Sequence, residues 1–162
     1  MKQVVVLAHD IRSTHNIGSL FRTSEGFGVE RIIFSGCSPY PELSSDTRLP
    51  HIVRRLSDQI RKTALGAETM VPFDYYEQPP LDELRAAGYR IVALEQSETS
   101  VTLPSFHDDS PIALLLGEER YGITPELLTQ CDAIVEIPMS GHKESFNVSV
   151  AAGIALYQIC YR

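Results

Sequence analysis

The 162-residue chain has three cysteines, Cys37, Cys131 and Cys160, and no two of them share a CxxC spacing. An odd, scattered set argues against a disulfide framework, and the five histidines add no metal-ligand spacing. Reduced thiols, no metal and a cytoplasmic setting are therefore expected. Nucleotide fingerprints are missing too. Neither GxGxxG nor GxxxxGK[ST] occurs, which argues against a nicotinamide-binding Rossmann domain and against a P-loop enzyme. No apolar run approaches the roughly 18 residues of a membrane span, and the opening MKQVVVL is too short for the apolar region of a signal peptide. Positive charge is scarce. Fourteen Lys and Arg stand against 21 Asp and Glu, a formal charge of −7, which excludes a broad basic coat for nucleic acid. Local patches remain, and RRLSDQIRK, residues 54–62, is the clearest.

What is present is an ordinary globular composition, 43% hydrophobic and 22% charged, in a length that suits one domain, residues 1–162, with no separate RNA-binding extension. Apolar runs alternate with helical periodicity. Strands are predicted at 3–8, 31–36, near 69–73, 89–95, 111–117 and 133–139, and helices at 16–27, 51–65, 80–88, 124–130 and 146–161. Continuous apolar strands between helices predict an α/β fold, a mostly parallel sheet with helices on both faces. Residues 36–50 and 97–110 are the expected flexible loops. Ligands of such sheets gather beyond the carboxyl ends of the strands. The segments there are 9–16, 36–50, 95–104, 117–123 and 138–146.

Three stretches concentrate unusual polar residues at those ends. In HNIGSLFRTSEGFG, Ile17, Leu20, Phe21 and Ser24 share one helical face. Spacings of three, three and four put Asn16, Ser19, Arg22 and Gly26 on another. Taken alone, this is equally a surface helix capped by Asn16. In LLLGEERYGITPELL a buried strand stops at Gly117 and two acids follow, which can face a ligand or simply be solvated. In IPMSGHKESFNVSVAAGIALYQI a polar loop leads through Ser145 and Asn147 into a helix whose Ser149, Ala152 and Gly153 permit close approach. That helix is expected to be buried against the core or a second subunit, with Ser145 or Asn147 as its cap.

Together, in this order and spacing, the three stretches resemble the motifs of the SpoU (TrmH-like) branch of the SPOUT RNA methyltransferases, over nearly the whole chain. The resemblance implies a SPOUT-type fold with a C-terminal trefoil knot, a homodimer, and S-adenosyl-L-methionine as cofactor. It implies methyl transfer to a ribose 2′-hydroxyl of tRNA or rRNA. The family's catalytic positions fall on Asn16, Arg22, Glu119, Ser145 and Asn147. Its cofactor-contacting positions fall on Leu94, Gly117, Ile137, Ser145 and Phe146, mostly through their backbones. Two residues depart from the usual pattern: Glu118 stands where asparagine is common and Phe146 where leucine is common. The first leaves the proposed catalytic groups intact; the second can reshape the cofactor pocket.

The activated methyl comes with the cofactor, so the protein must chiefly align the 2′-oxygen and manage its proton. Arg22, as a permanent cation, suits the nucleophile side by holding phosphate and stabilising developing negative charge. Base action by its guanidine runs against its very high pKa. Asn16 would orient Arg22 or the ribose, while Glu119, Ser145 and Asn147 would order the loops. His9, Asp10 and Arg12 lie just before the first motif and can line the RNA side, as can residues 54–62. Two alternatives stand beside this reading: a SPOUT base methyltransferase, and a catalytically silent RNA-binding module on the same fold.

Overall fold

The computed structural model describes residues 2–161. Among these, seven strands form one sheet in the order β3-β2-β1-β6-β4-β7-β5, and every neighbouring pair is parallel. The strands are β1 (Val4–His9), β2 (Arg31–Ser35), β3 (Phe73–Tyr76), β4 (Arg90–Leu94), β5 (Val101–Thr102), β6 (Ile112–Leu116) and β7 (Ala133–Glu136). The helices are α1 (Thr14–Gly26), α2 (Pro50–Ala64), α3 (Leu81–Ala86), α4 (Pro125–Leu128) and α5 (Val148–Tyr161).

The alternation of side chains along each strand splits the core in two. Val4, Val6, Ala8, Ile32, Phe34, Leu114 and Leu116 point to one face, where α1, α2 and α5 cover them through Ile17, Leu20, Phe21, Ile60, Ala152 and Leu156. Val5, Leu7, Ile33, Ile91, Ala113 and Leu115 point to the other, under Leu81, Leu84, Ile123 and Leu127. Being covered on both faces explains why β6 reads as the unbroken run Ile-Ala-Leu-Leu-Leu, all buried.

Several elements differ from expectation. Residues 67–69 form a 3₁₀ turn, and β3 begins only at Phe73. Its aromatic FDYY pairs with β2, so the strand begins two residues beyond the apolar signal at Val71. The two-residue β5 was not anticipated; both its side chains are exposed, so it lacks an apolar signature. Helix α1 starts at Thr14, and its cap is Ser13, which accepts the Asn16 amide, rather than Asn16 itself. Helix α5 buries only one face. Val150, Ile154, Tyr157 and Tyr161 are exposed along the other.

Helix α1 packs closely on α2 at Gly18. A Cβ there would stand 2.0 Å from Thr63 Oγ1 and 2.3 Å from the Ile60 carbonyl oxygen. This contact seats the N-terminus of α1 at the carboxyl end of β1, beside β6.

Candidate active site

The carboxyl ends of β4, β6 and β7, three neighbours in the sheet, open into one cleft of about 270 Å³, near the small end of ligand sites. All five positions implied for the cofactor, Leu94, Gly117, Ile137, Ser145 and Phe146, line it. Apolar walls from Leu94, Leu116, Ile137 and Phe146 face a strongly acidic set, Glu95, Glu118, Glu136 and Glu144.

The rim of the cleft is a tight turn. Glu118 and Gly122 form an antiparallel bridge, and the Glu118 carboxylate accepts the amides of Arg120, at 2.8 Å, and Tyr121. Gly122 adopts φ +68°, and a Cβ would lie 2.1 Å from Glu95 Oε2. Glu95 in turn accepts the Ile123 amide at 3.0 Å and the Gln96 amide at 2.9 Å. Sequence reasoning missed Glu95. Its only signal is an acid at the end of an apolar strand, and its partner lies 28 residues further on.

Beside the cleft, the three motif stretches meet through side chains. Glu119 accepts the Arg12 and Ser13 amides, each at 3.0 Å, and Asn16 Nδ2 at 2.9 Å. Asn16 Oδ1 accepts Asn147 Nδ2 at 3.0 Å. Asn147 Oδ1 accepts the Ser149 amide at 2.9 Å and its hydroxyl at 2.7 Å, so Asn147 caps α5. Burial pushes the Glu119 carboxyl up, but the Arg12 amide, the Asn16 carboxamide and the Ser13 amide outweigh it and leave its pKa below the ordinary value.

Ser145 lines the cleft and stands outside this chain of contacts. Arg22 is also outside it. Six residues along a helix is a rotation of about 240° and a rise of about 9 Å, so buried Asn16 faces Glu119 while Arg22 is exposed to solvent. The first motif thus serves two directions rather than one shared face. Of the residues ahead of it, His9 Nδ1 stands 2.9 Å from Ser35 Oγ. Burial lowers the His9 pKa against the pull of Asp10. Asp10, at φ 56°, accepts the Cys37 amide at 2.9 Å.

Against this geometry, residues 3–157 match the family model described as the SpoU rRNA Methylase family. The chain belongs to the SpoU methylase family. It is 31% identical over 162 residues to the 23S rRNA (guanosine-2′-O-)-methyltransferase RlmB of Acinetobacter baylyi, an alignment covering 98% of this chain and 60% of that protein. The AdoMet-bound rRNA methyltransferase of Sinorhizobium meliloti superposes with a TM-score of 0.80 at 26% identity, over 97% of this chain and 55% of the other. The TrmH/SpoU tRNA modifying enzyme of A. aeolicus superposes with a TM-score of 0.79 at 27% identity, over 98% and 74%. The chain spans 57–60% of the length of the curated relatives it matches. Asn16, Glu119 and Asn147, one from each of the three polar stretches, thus meet in one hydrogen-bonded chain within a member of this family.

Among the described residues, no group of three or more His, Cys, Asp or Glu side chains is arranged to hold a metal ion. Among the same residues, no helix is long and apolar enough to cross a membrane. Cys37, Cys131 and Cys160 are free thiols.

Proposed function

We propose that this chain transfers a methyl group from S-adenosylmethionine to a ribose 2′-hydroxyl of tRNA or rRNA. The observation that carries the reading is the cleft at the ends of β4, β6 and β7, walled by the family's cofactor positions and flanked by the Glu119–Asn16–Asn147 chain. The cleft's chemistry suits the cofactor. Leu94, Ile137 and Phe146 offer apolar surface for an adenine ring, and the carboxylates of Glu95, Glu118, Glu136 and Glu144 suit a ligand bearing ammonium and sulfonium charge. When bound, S-adenosylmethionine would supply an electrophilic methyl group for the 2′-oxygen, its sulfonium becoming a neutral thioether and the hydroxyl proton passing to water.

The roles of this chain's residues follow. Gly117 and Ser145 would hold the cofactor at the cleft wall, with Leu94, Ile137 and Phe146 packing on it. Glu119 fixes residues 12–16 through three N–H donors, and Asn147 ties the start of α5 to Asn16, so the nucleophile side cannot drift from the cofactor side. Arg22, exposed on α1, offers its cation to an RNA phosphate and to the developing oxyanion of the bound substrate. Proton removal does not fall to a neutral guanidine.

The reading extends to assembly. The apolar side chains Val150, Ile154, Tyr157 and Tyr161 on the outer face of α5 support a homodimer. The interleaved order β6-β4-β7-β5 supports a C-terminal trefoil knot, a topology that general connection rules disfavour and the family resemblance implies. A single catalytic domain acting in the cytoplasm completes the proposal. Mapping 2′-O-methylation across total RNA from cells with and without the gene tests it. Loss of one or a few sites is expected, and an unchanged map would overturn it.

A further inference from the structure

A second cavity, of about 800 Å³, lies beyond the carboxyl ends of β1 and β2, between the start of α1 and helix α2. It shares no lining residue with the cofactor cleft. One wall is a prebuilt stack. The Arg48 guanidinium lies 3.6 Å over the Tyr40 ring, and Tyr40 stacks on Tyr75 at 4.3 Å between centroids. Asp46 holds Arg48 in place, as do the Tyr40 and Pro41 carbonyls at 3.0 and 2.9 Å, and Tyr75 donates to the Gly36 carbonyl at 2.9 Å. The opposite wall carries exposed polar groups, Arg12 and Gln59. In a chain of net charge −7, α2 exposes Arg54, Arg55, Arg61 and Lys62 against the single acid Asp58. Asp46 is engaged by Arg48 and Asp10 by the Cys37 amide, while Arg12, exposed at the wall, stands 3.6 Å from Glu118 and would exchange that contact for a phosphate.

Its position relative to the cleft is informative. The segment 12–14 lines this cavity, and its amides at Arg12 and Ser13 are held by Glu119, which lines the cleft. The two openings are centred on β2 and β4, three strand spacings apart, roughly 14 Å.

We propose that this cavity is a nucleotide subsite for the RNA strand, taking a residue that neighbours the methylated ribose. The inference rests on the reading of the chain as an RNA methyltransferase. Arg12 and Arg55 hold phosphate at the rim, the base enters against the Tyr40–Tyr75 wall, and the Gln59 carboxamide meets its edge. On the helix, Arg55 stands about 40° from Gln59, whereas Arg54 stands about 140° away. The adjacent pair Arg54 and Arg55 therefore separates a built subsite from general attraction.

The test is equilibrium binding of 3′-fluorescein-labelled unfractionated tRNA to the full chain, followed by anisotropy at several salt concentrations. Arg55→Glu is expected to weaken binding at least about tenfold and to lower the slope of log K against log salt by about 1, while Arg54→Glu, with the same change of charge, costs under about twofold. Competition by duplex DNA of equal length is expected to be weak. Equal losses in both variants, no loss in either, or equal competition by the duplex overturns the subsite. The readout needs no chemistry. Arg55-dependent binding without methyl incorporation would retain the subsite and overturn the proposed activity; methyl incorporation indifferent to Arg55→Glu would do the reverse.

Discussion

Asn16 Nδ2 donates to Glu119 Oε1 at 2.9 Å across 103 residues of sequence, joining the mouth of α1 to the turn after β6. The same carboxylate accepts the Arg12 and Ser13 amides. One acid that lines the first cleft therefore orders a segment that lines the second cavity.

Replacing that acid by its neutral isostere removes the charge that three donors share. Glu119→Gln is expected to lower stability at pH 7 by about 0.5–1 kcal/mol, the figure for charged hydrogen bonds discounted for solvent exposure. The folded-state pKa is depressed below 4.5, so this stability is present above the unfolded value and is lost as pH falls through the folded one. Urea denaturation of both proteins from pH 7 to pH 3 should show the difference shrinking below about pH 4.5. A gap that stays constant with pH would contradict the assignment.

At the cleft rim, Gly122 combines φ +68° with a Glu95 oxygen where a Cβ would sit. Gly122→Ala is expected to cost about 1–3 kcal/mol of stability and to displace Glu95 from the Ile123 amide. Calorimetric titration with S-adenosylmethionine should show at least about tenfold weaker binding, because the rim no longer keeps its shape. Unchanged affinity in a destabilised variant would remove Glu95 from the cofactor site.

The α1–α2 contact has no room at Gly18. Alanine there meets both Thr63 Oγ1 and the Ile60 carbonyl, and since the carbonyl is backbone, a shortened residue 63 relieves only half of the clash. Thermal denaturation should place Gly18→Ala about 1–3 kcal/mol below the parent, with Thr63→Ala restoring part of the loss. A neutral Gly18→Ala would mean that the helices separate freely.

If α5 forms the subunit interface, a charge at its centre should split the dimer. Tyr157, 56% exposed, lies among Val150, Ile154 and Tyr161. Light scattering is expected to give twice the chain mass for the parent and the chain mass for Tyr157→Glu, since an unpaired charge is strongly disfavoured in an apolar interface. A monomeric parent would overturn the dimer.

How much of this was legible in the sequence depends on the range of the interaction. The buried run of β6 and the α1 face of Ile17, Leu20 and Phe21 are local patterns, and they read correctly. The exposed β5 has no such pattern, because its place is set by pairing with β7. The polar residues of the three motifs were visible as oddities. That Asn16 is buried between Glu119 and Asn147, while Ser13 takes the capping role, depends on contacts 103 and 131 residues apart. Gly18 and Glu95 were silent for the same reason. Their partners come from other elements.

The central claim is methyl transfer to a ribose oxygen with Arg22 on the nucleophile side. Its most direct test supplies the chain with methyl-tritiated S-adenosylmethionine and mixed tRNA and rRNA, then digests the RNA with alkali. Label is expected in alkali-resistant dinucleotides, the mark of a blocked 2′-oxygen. In Arg22→Ala it should fall by about 100-fold or more, with S-adenosylmethionine affinity within about twofold of the parent. Label confined to alkali-released mononucleotides, or equal loss of transfer and cofactor binding in Arg22→Ala, would contradict the account.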